Sequence, residues 1–238
     1  MQAIDIMTQS VITAAPETLI EEIARTMLTH HVGAIPIVDD GKLVGIVSEG
    51  DLIRRPELGT ERRRSRWVAL FSSPAHLAAE YAHTHGRHAG DIMTRDVVTV
   101  ADTTPIADIA GLLDKQGIKR LPVLRDGKLV GIVSRADLVR TLACRIASIA
   151  TVDDRRIRDA VLAALRAQPW GGAPTVGQVM VRDGIVHLWG VYRSDDERHA
   201  RVVAAETVPG VRGVEDHMDH VSPVDPLDRP NWPSPAPP

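Results

Sequence analysis

Apolar and polar positions follow one order twice along the first 140 residues. A short β-branched run, Val11-Ile12-Thr13 or Val97–Val100, suits a strand. Apolar residues at helical spacing come next, Ile20, Ile23, Ala24, Met27 and Leu28 in one copy and Ile106, Ile109, Ala110 and Leu113 in the other. Thr18-x-x-Glu21 reads as a capping box for the first of these helices, and Thr104-Pro105 as a cap followed by proline at the first helical position of the second. Two apolar runs then flank an Asp-Gly turn, Ile35–Val38 with Leu43–Val47 and Leu121–Leu124 with Leu129–Val133, which predicts a hairpin in each copy. A second helix opens at Ser48 or Ser134 and carries Leu52-Ile53 or Leu138-Val139. The predicted order is β-α-β-β-α, twice.

The pattern changes after residue 150. Asp153-Asp154 lead into a helix with Ile157, Val161, Leu162 and Leu165 on one face. Gln168–Pro174 is rich in Gly and Pro and ends it. Val176–Val181 and Ile185–Trp189 then read as strands across an Arg182-Asp183-Gly184 turn. Ser194-x-x-Glu197 caps a helix from Asp195 to about Val208, Pro209-Gly210 terminates it, and a last strand runs over Val214–Val221. This is αββαβ, so the whole chain reads as α/β (α+β).

The doubling is close at the level of residues. Stretch 5–54 aligns without gaps on 91–140 at an offset of 86, with 24 of 50 pairs identical, including nine consecutive residues from Asp40 to Ser48 and from Asp126 to Ser134. Two copies of one supersecondary unit are expected to pack about a pseudo-twofold axis. The expected boundaries are 1–54 for repeat one, 55–90 for a linker, 91–148 for repeat two, 152–221 for the C-terminal unit and 222–238 for a tail.

Composition narrows the function classes. With 44% apolar and 25% charged residues, the chain can build ordinary cores, and a net charge of −3 gives no general affinity for a nucleic-acid backbone, although Arg62-Arg63-Arg64 with Arg66 form a local basic run. A single cysteine, Cys144, excludes an internal disulfide framework and fits a reducing cytoplasm. Met1–Asp5 lacks the features of a signal peptide, and no stretch approaches 18 apolar residues. No Gly-rich phosphate loop, metal-ligand pair at recognised spacing or base partner for Cys144 is evident, so an enzyme is the weakest expectation and no metal is assigned.

The candidate chemistry lies at Ser48-x-x-Asp51 and Ser134-x-x-Asp137, each where a strand meets a helix. A carboxylate there can accept two hydrogen bonds from a ribose diol, while the serine hydroxyl and free helix amides suit a sugar or phosphate oxygen. The same spacing is also a capping box, favourable with no ligand at all, and the two roles are compatible. Just upstream, Lys119-Arg120 stand where repeat one has Gly33-Ala34, so only the second copy offers a fork and a point charge, which suit either a phosphate or a solvated cationic surface. His30 and His31 end the first helix of repeat one, where a histidine complements the dipole or adds a pH-sensitive contact.

Asp-Ile-Met-Thr at the entry, Pro36-Ile37-Val38 or Pro122-Val123-Leu124 in the middle and Gly-Ile-Val-Ser-x-x-Asp-Leu at the exit resemble the CBS domain pair, or Bateman module, over roughly residues 1–145. The resemblance implies a non-enzymatic sensor of an adenosyl nucleotide, such as AMP, ATP or NAD, bound in clefts between the repeats and often in a homodimer. In nucleotide-sensing members basic residues at the position of Lys119 and Arg120 contact phosphates. The implied ligand residues are Ser48, Asp51, Ser134 and Asp137 with Lys119, Arg120, Thr18 and Thr104.

Asp-Gly-Ile-Val-His-Leu-Trp-Gly and Gly-Val-Arg-Gly-Val-Glu-Asp resemble the BON domain over about 152–221. That family implies a phospholipid- or protein-interaction module, here an output domain. Trp170 and Trp189 suit either interfacial anchors or a small core, and a run of carboxylates disfavours an anionic leaflet. In the linker, Trp67, Leu70, Phe71, Leu77, Ala78 and Tyr81 predict amphipathic helices for a dimer contact, a lid or self-packing. His76, His83, His85 and His88 have only Glu80 near them and make a poor metal set. Seven of the last 17 residues are proline, which reads as an extended disordered tail. Two classes of function follow: a nucleotide sensor signalling through the C-terminal domain, and a constitutive dimeric adaptor whose C-terminal domain binds a protein or phospholipid.

Overall fold

The computed structural model describes residues 1–53, 85–143, 151–170 and 178–221. The aromatic linker stretch from Trp67 to Tyr81, Cys144 and the proline-rich tail lie outside them. Each repeat centres on the predicted hairpin, β1 (Ala34–Asp39) with β2 (Lys42–Ser48) and β4 (Arg120–Arg125) with β5 (Lys128–Ser134). Asp40 and Gly41 turn the first at φ 46° and 74°, and Asp126 and Gly127 turn the second at 51° and 74°. Positive φ at both central residues is what the tightest hairpin turn demands, and Asp-Gly supplies it at low cost. The predicted helices are α2 (Ile20–His30) and α5 (Ile106–Lys115). His31 closes α2 in the left-handed region at φ 52°, where repeat two has Gly117 at 63°.

Three expectations need correction. Val11–Thr13 forms no strand, leaving an isolated bridge from Ala14 to Ile37, and its counterpart shrinks to β3 (Val100–Ala101), parallel to β4. Neither threonine caps its helix: the N-caps are Leu19 and Pro105. Thr18 instead uses its hydroxyl to accept from the Ala15 amide, which closes a turn before the helix and delays its start by one residue.

Sequence spacing also did not reveal where the Asp-Ile-Met-Thr segments go. They form one-turn helices, α1 (Ala3–Ile6) and α4 (Ala89–Ile92), and each packs into the other repeat. The amide of Ala3 donates to Thr104 O at 2.8 Å, and that of Ala89 donates to Thr18 O at 2.8 Å. Thr8 exchanges two backbone bonds with Ile132, and Thr94 exchanges two with Ile46. Ile6 is buried in the core of repeat two with Ile109, Leu113 and Leu121, while Ile92 is buried in that of repeat one with Ile23, Ile35 and Ile37. Full burial of one such isoleucine contributes about 1.5–3 kcal/mol. Reciprocal exchange therefore ties the repeats about the pseudo-twofold, and neither core is complete alone.

The second helix of each repeat is α3 (Glu49–Leu52) or α6 (Arg135–Ala143). Beyond it the C-terminal unit follows the predicted order: α7 (Val152–Arg166), β6 (Val179–Arg182), β7 (Ile185–Tyr192), α8 (Asp195–Glu206) and β8 (Gly213–His220). Thr151 caps α7 by accepting from the Asp154 amide at 3.0 Å, and Ser194 caps α8 by accepting from the Glu197 amide at 3.2 Å. β7 sits between antiparallel β6 and parallel β8. Val179, Val181, Val186 and Leu188 face the two helices and make a third core with Val161, Leu165 and Ala205.

The opposite sheet face is not a solvent face. Met180, 1% exposed, joins the core of repeat two, and Gln178 donates its side-chain amide to Ile6 O. From α7, Arg158 donates to Ile4 O, and Arg155 reaches both carboxylate oxygens of Asp5 at 2.6 and 3.0 Å. A one-turn helix leaves most of its carbonyls without intrahelical partners, and the C-terminal unit satisfies two of those of α1, Ile4 O and Ile6 O. The pseudo-equivalent Asp91 has no such cover and pairs with His88 at 3.6 Å, its side chain 44% exposed.

Candidate functional site

Both Ser-x-x-Asp pairs form the same local structure at a strand end. The backbone amide and hydroxyl of Ser48 both donate to Asp51 Oδ2 at 2.8 Å, and those of Ser134 both donate to Asp137 Oδ2 at 2.6 and 2.9 Å. The capping role is therefore present in each copy. In the second copy Asp137 Oδ1 also accepts from Arg140 at 2.8 Å; the counterpart arginine of the first copy, Arg54, lies outside the described residues. Asp137 is 3% exposed and Asp51 half-buried. Burial pushes the Asp137 carboxyl above the ordinary carboxylate range, and the bonds from Ser134 and the Arg140 charge only partly offset it.

Hairpin register places the basic pair. Arg120 stands directly opposite Ser134, as Ala34 stands opposite Ser48. The Arg120 side chain crosses the pseudo-twofold and donates to Gly33 O at 3.0 Å. A Cβ at Gly33 would stand 2.5 Å from the Arg120 guanidinium and 2.8 Å from the Glu49 carboxylate, so these two flexible side-chain ends would have to move aside. Lys119 is exposed, and its carbonyl accepts from the Arg135 amide at 3.1 Å. Arg135 also donates to Ile118 O and Leu113 O, which fixes the turn ahead of Lys119. Ser134, Asp137, Arg120 and Lys119 are thus assembled in one region at the junction of the repeats.

Thr18 and Thr104 occupy a different role. Their carbonyls hold α4 and α1, and among the described residues no hydrogen bond links either to a Ser-Asp pair. Two open depressions, of about 480 and 450 Å³, also lie away from those pairs. The first is bounded by Pro16, Asp39, Asp91 and Arg95, and the second by Ala143 of α6 and residues of β7 and β8.

Sequence reasoning missed Arg140, although an acid and a base three apart on a helix was a usable signal. Its guanidinium bonds Asp137 and also stands 5.8 Å from the centre of the Trp189 ring in β7. Trp189 in turn stacks on His217 of β8, centroids 4.2 Å apart and planes 13° from parallel. A continuous set of contacts therefore runs from the carboxylate at the repeat junction into the C-terminal sheet.

Comparison with known proteins agrees with this architecture. The sequence model of the CBS domain matches residues 3–57 and 89–144, and that of the BON domain matches 153–221. The chloroplastic CBS domain-containing protein CBSX2 of Arabidopsis thaliana is 30% identical over 145 residues, which are 57% of this chain and 61% of that protein. Protein MJ1426 of Methanocaldococcus jannaschii is 32% identical over 150 residues, 58% of this chain and 89% of that one. The chain spans about three fifths of the length of the CBSX proteins it matches. A crystal structure of CBSX2 in complex with AMP aligns with a TM-score of 0.53 and 32% identity, over 62% of this chain and 99% of that one. Among the described residues no helix is long and apolar enough to cross a membrane. Two interlocked repeats with paired Ser-x-x-Asp junctions, followed by an αββαβ unit, place this chain in the CBS domain family, as a tandem CBS pair carrying a BON domain.

Proposed function

We propose that the CBS pair binds an adenosine nucleotide, AMP or a close relative, at the Ser134–Asp137 junction, and that the BON domain responds to its occupancy in a non-enzymatic regulatory protein. The observation that carries this reading is the state of Asp137: a buried carboxylate whose second oxygen is held by one arginine that also touches the BON sheet. A ribose diol donating to that carboxylate would relieve a buried charge and compete with Arg140. Lys119 and Arg120 supply cations for the phosphate, with Arg120 exchanging its bond to Gly33 O for a stronger charge-assisted one. AMP bound to CBSX2, a similar pair, supports the ligand class. The Ser48–Asp51 junction, with Gly33 and Ala34 upstream, is the weaker site.

Assembly as a cytoplasmic homodimer belongs to the same proposal. It is supported by apolar side chains left exposed on α6, Val139 at 63% and Leu142 at 78%.

Thermal denaturation of the full chain with AMP, ATP, NAD and S-adenosylmethionine tests the site. At 100 times its Kd a ligand specific to the folded state adds about 2.7 kcal/mol. AMP is expected to raise the Tm of wild type, and Asp137→Ala is expected to lose most of that gain. If no adenosyl compound raises the Tm, the ligand class is wrong; a full gain in Asp137→Ala moves the site elsewhere.

A further inference from the structure

The parallel register of β7 and β8 brings His187 of β7 beside Glu215 and His217 of β8. His187 pairs with Glu215 and Trp189 with His217, so all four project from one sheet face, opposite the core residues Val186 and Leu188. His187 Nδ1 lies 3.2 Å from Glu215 Oε2 and 3.2 Å from His217 Nε2, and the last two atoms are 3.6 Å apart. A tetrahedral metal with bonds of about 2.0–2.1 Å holds its ligand atoms roughly 3.3–3.4 Å from one another. The triangle matches one face of that tetrahedron.

Hydrogen bonding alone satisfies this arrangement poorly. Each imidazole carries one ring proton when neutral, and two N–H groups directed at Glu215 would confront each other across 3.2 Å. If His187 instead donates to His217, the nearby carboxylate oxygen gains nothing. A cation satisfies the lone pairs of all three atoms together.

The surroundings are those of a built site. The His187 side chain is 7% exposed, and the His217 ring is held by its stack on Trp189. Glu215, 58% exposed, and the depression of about 450 Å³ beside it leave the fourth direction accessible to solvent. We propose that His187, Glu215 and His217 bind one divalent transition-metal ion of the zinc class, with water as fourth ligand. Two imidazoles and one carboxylate suit zinc or cobalt, whereas calcium and magnesium favour oxygen alone. The metal clips β7 to β8 at the rim where the BON sheet meets α6, and its binding is independent of any nucleotide.

Zinc and cobalt titrations of the untagged full chain, in a Cys144→Ser background that removes the single thiol, test the site. Wild type is expected to take up one Zn²⁺ per chain and to give the intense visible absorption of tetrahedral Co²⁺. Glu215→Gln changes an exposed side chain, so the fold survives it, and it is expected to bind at least about tenfold more weakly. His217→Gln is expected to lose the cobalt band. Wild type that binds no Zn²⁺, or binds it no better than these two variants, overturns the proposal, as does a cobalt spectrum of six-coordinate form.

Discussion

Arg155→Ala is expected to cost about 2–3 kcal/mol in unfolding free energy, a large effect for an arginine whose own side chain is 35% exposed. The cost arises at its partner. Asp5 is buried in α1, where its carboxylate accepts from the Gln2 amide at 2.8 Å and from Arg155 at both oxygens. Without the guanidinium a buried anion keeps one backbone bond and, as countercharge, only the nearby Arg158, which makes no hydrogen bond to it. Removing the anion as well should relieve most of the penalty, so Asp5→Asn/Arg155→Ala is expected to be more stable than Arg155→Ala alone. Asp91→Asn, at the pseudo-equivalent exposed position, is expected to change stability by less than about 0.5 kcal/mol. Denaturant unfolding of the wild type and the three variants measures this. Equal losses in Arg155→Ala and the double variant would falsify the claim that an orphaned Asp5 carries the cost.

Gly131→Ala is expected to destabilise by about 1–3 kcal/mol, and Gly45→Ala by a similar amount. Met7, just past the end of α1, packs its sulfur onto Gly131, and Met93, just past α4, packs its own onto Gly45, so a Cβ at either glycine collides with the methionine of the other repeat. Both methionines are buried, at 5 and 6% exposure, and cannot swing into solvent without leaving a core. The diagnostic comparison is made in a Met7→Ala background. There the added methyl has room, and Gly131→Ala should become nearly neutral. An undiminished penalty would mean that backbone preference, not the interlock, dictates glycine at that position.

How far the sequence anticipated this molecule follows from the length of each signal. Hairpins were legible because Asp-Gly at positions 40–41 and 126–127 is a local determinant flanked by apolar runs, and the longer helices because several turns of 3.6-residue spacing leave little ambiguity. The exchange of α1 and α4 was not legible, since a four-residue helix has no periodicity and its partner lies in the other repeat. The threonine caps were displaced by one residue for a related reason: Thr18 finds its bond partner at Ala15, and its carbonyl serves the exchanged Ala89. On the BON sheet, alternation of Gln178 and Met180 with Val179 and Val181 resembles a strand with one solvated face, yet that face is occupied by repeat two.

For the candidate site, internal repetition singled out Ser48, Asp51, Ser134 and Asp137, and the difference between Gly33-Ala34 and Lys119-Arg120 already marked the copies as unequal. What repetition could not supply was contact across domains. The acid–base spacing that pairs Arg140 with Asp137 recurs at Asp51 and Arg54, so it did not set one copy apart, and the neighbour Trp189 belongs to a different unit. His187, Glu215 and His217 became a cluster only through the parallel pairing of β7 with β8.

The central claim is that nucleotide occupancy at Asp137 is felt in the BON sheet through Arg140 and Trp189. Spatial continuity alone does not establish such coupling; a shift at the far end does. Hydrogen exchange of the full chain with and without saturating AMP measures it, using the Trp189 amide, which donates to Gln178 O at 2.9 Å, as the reporter. AMP is predicted to alter exchange in the Ser134–Arg140 segment and in β7 together, with Arg140→Ala keeping the first response and losing the second. AMP that binds and changes exchange in the repeats while leaving β7 unaltered in wild type contradicts the account.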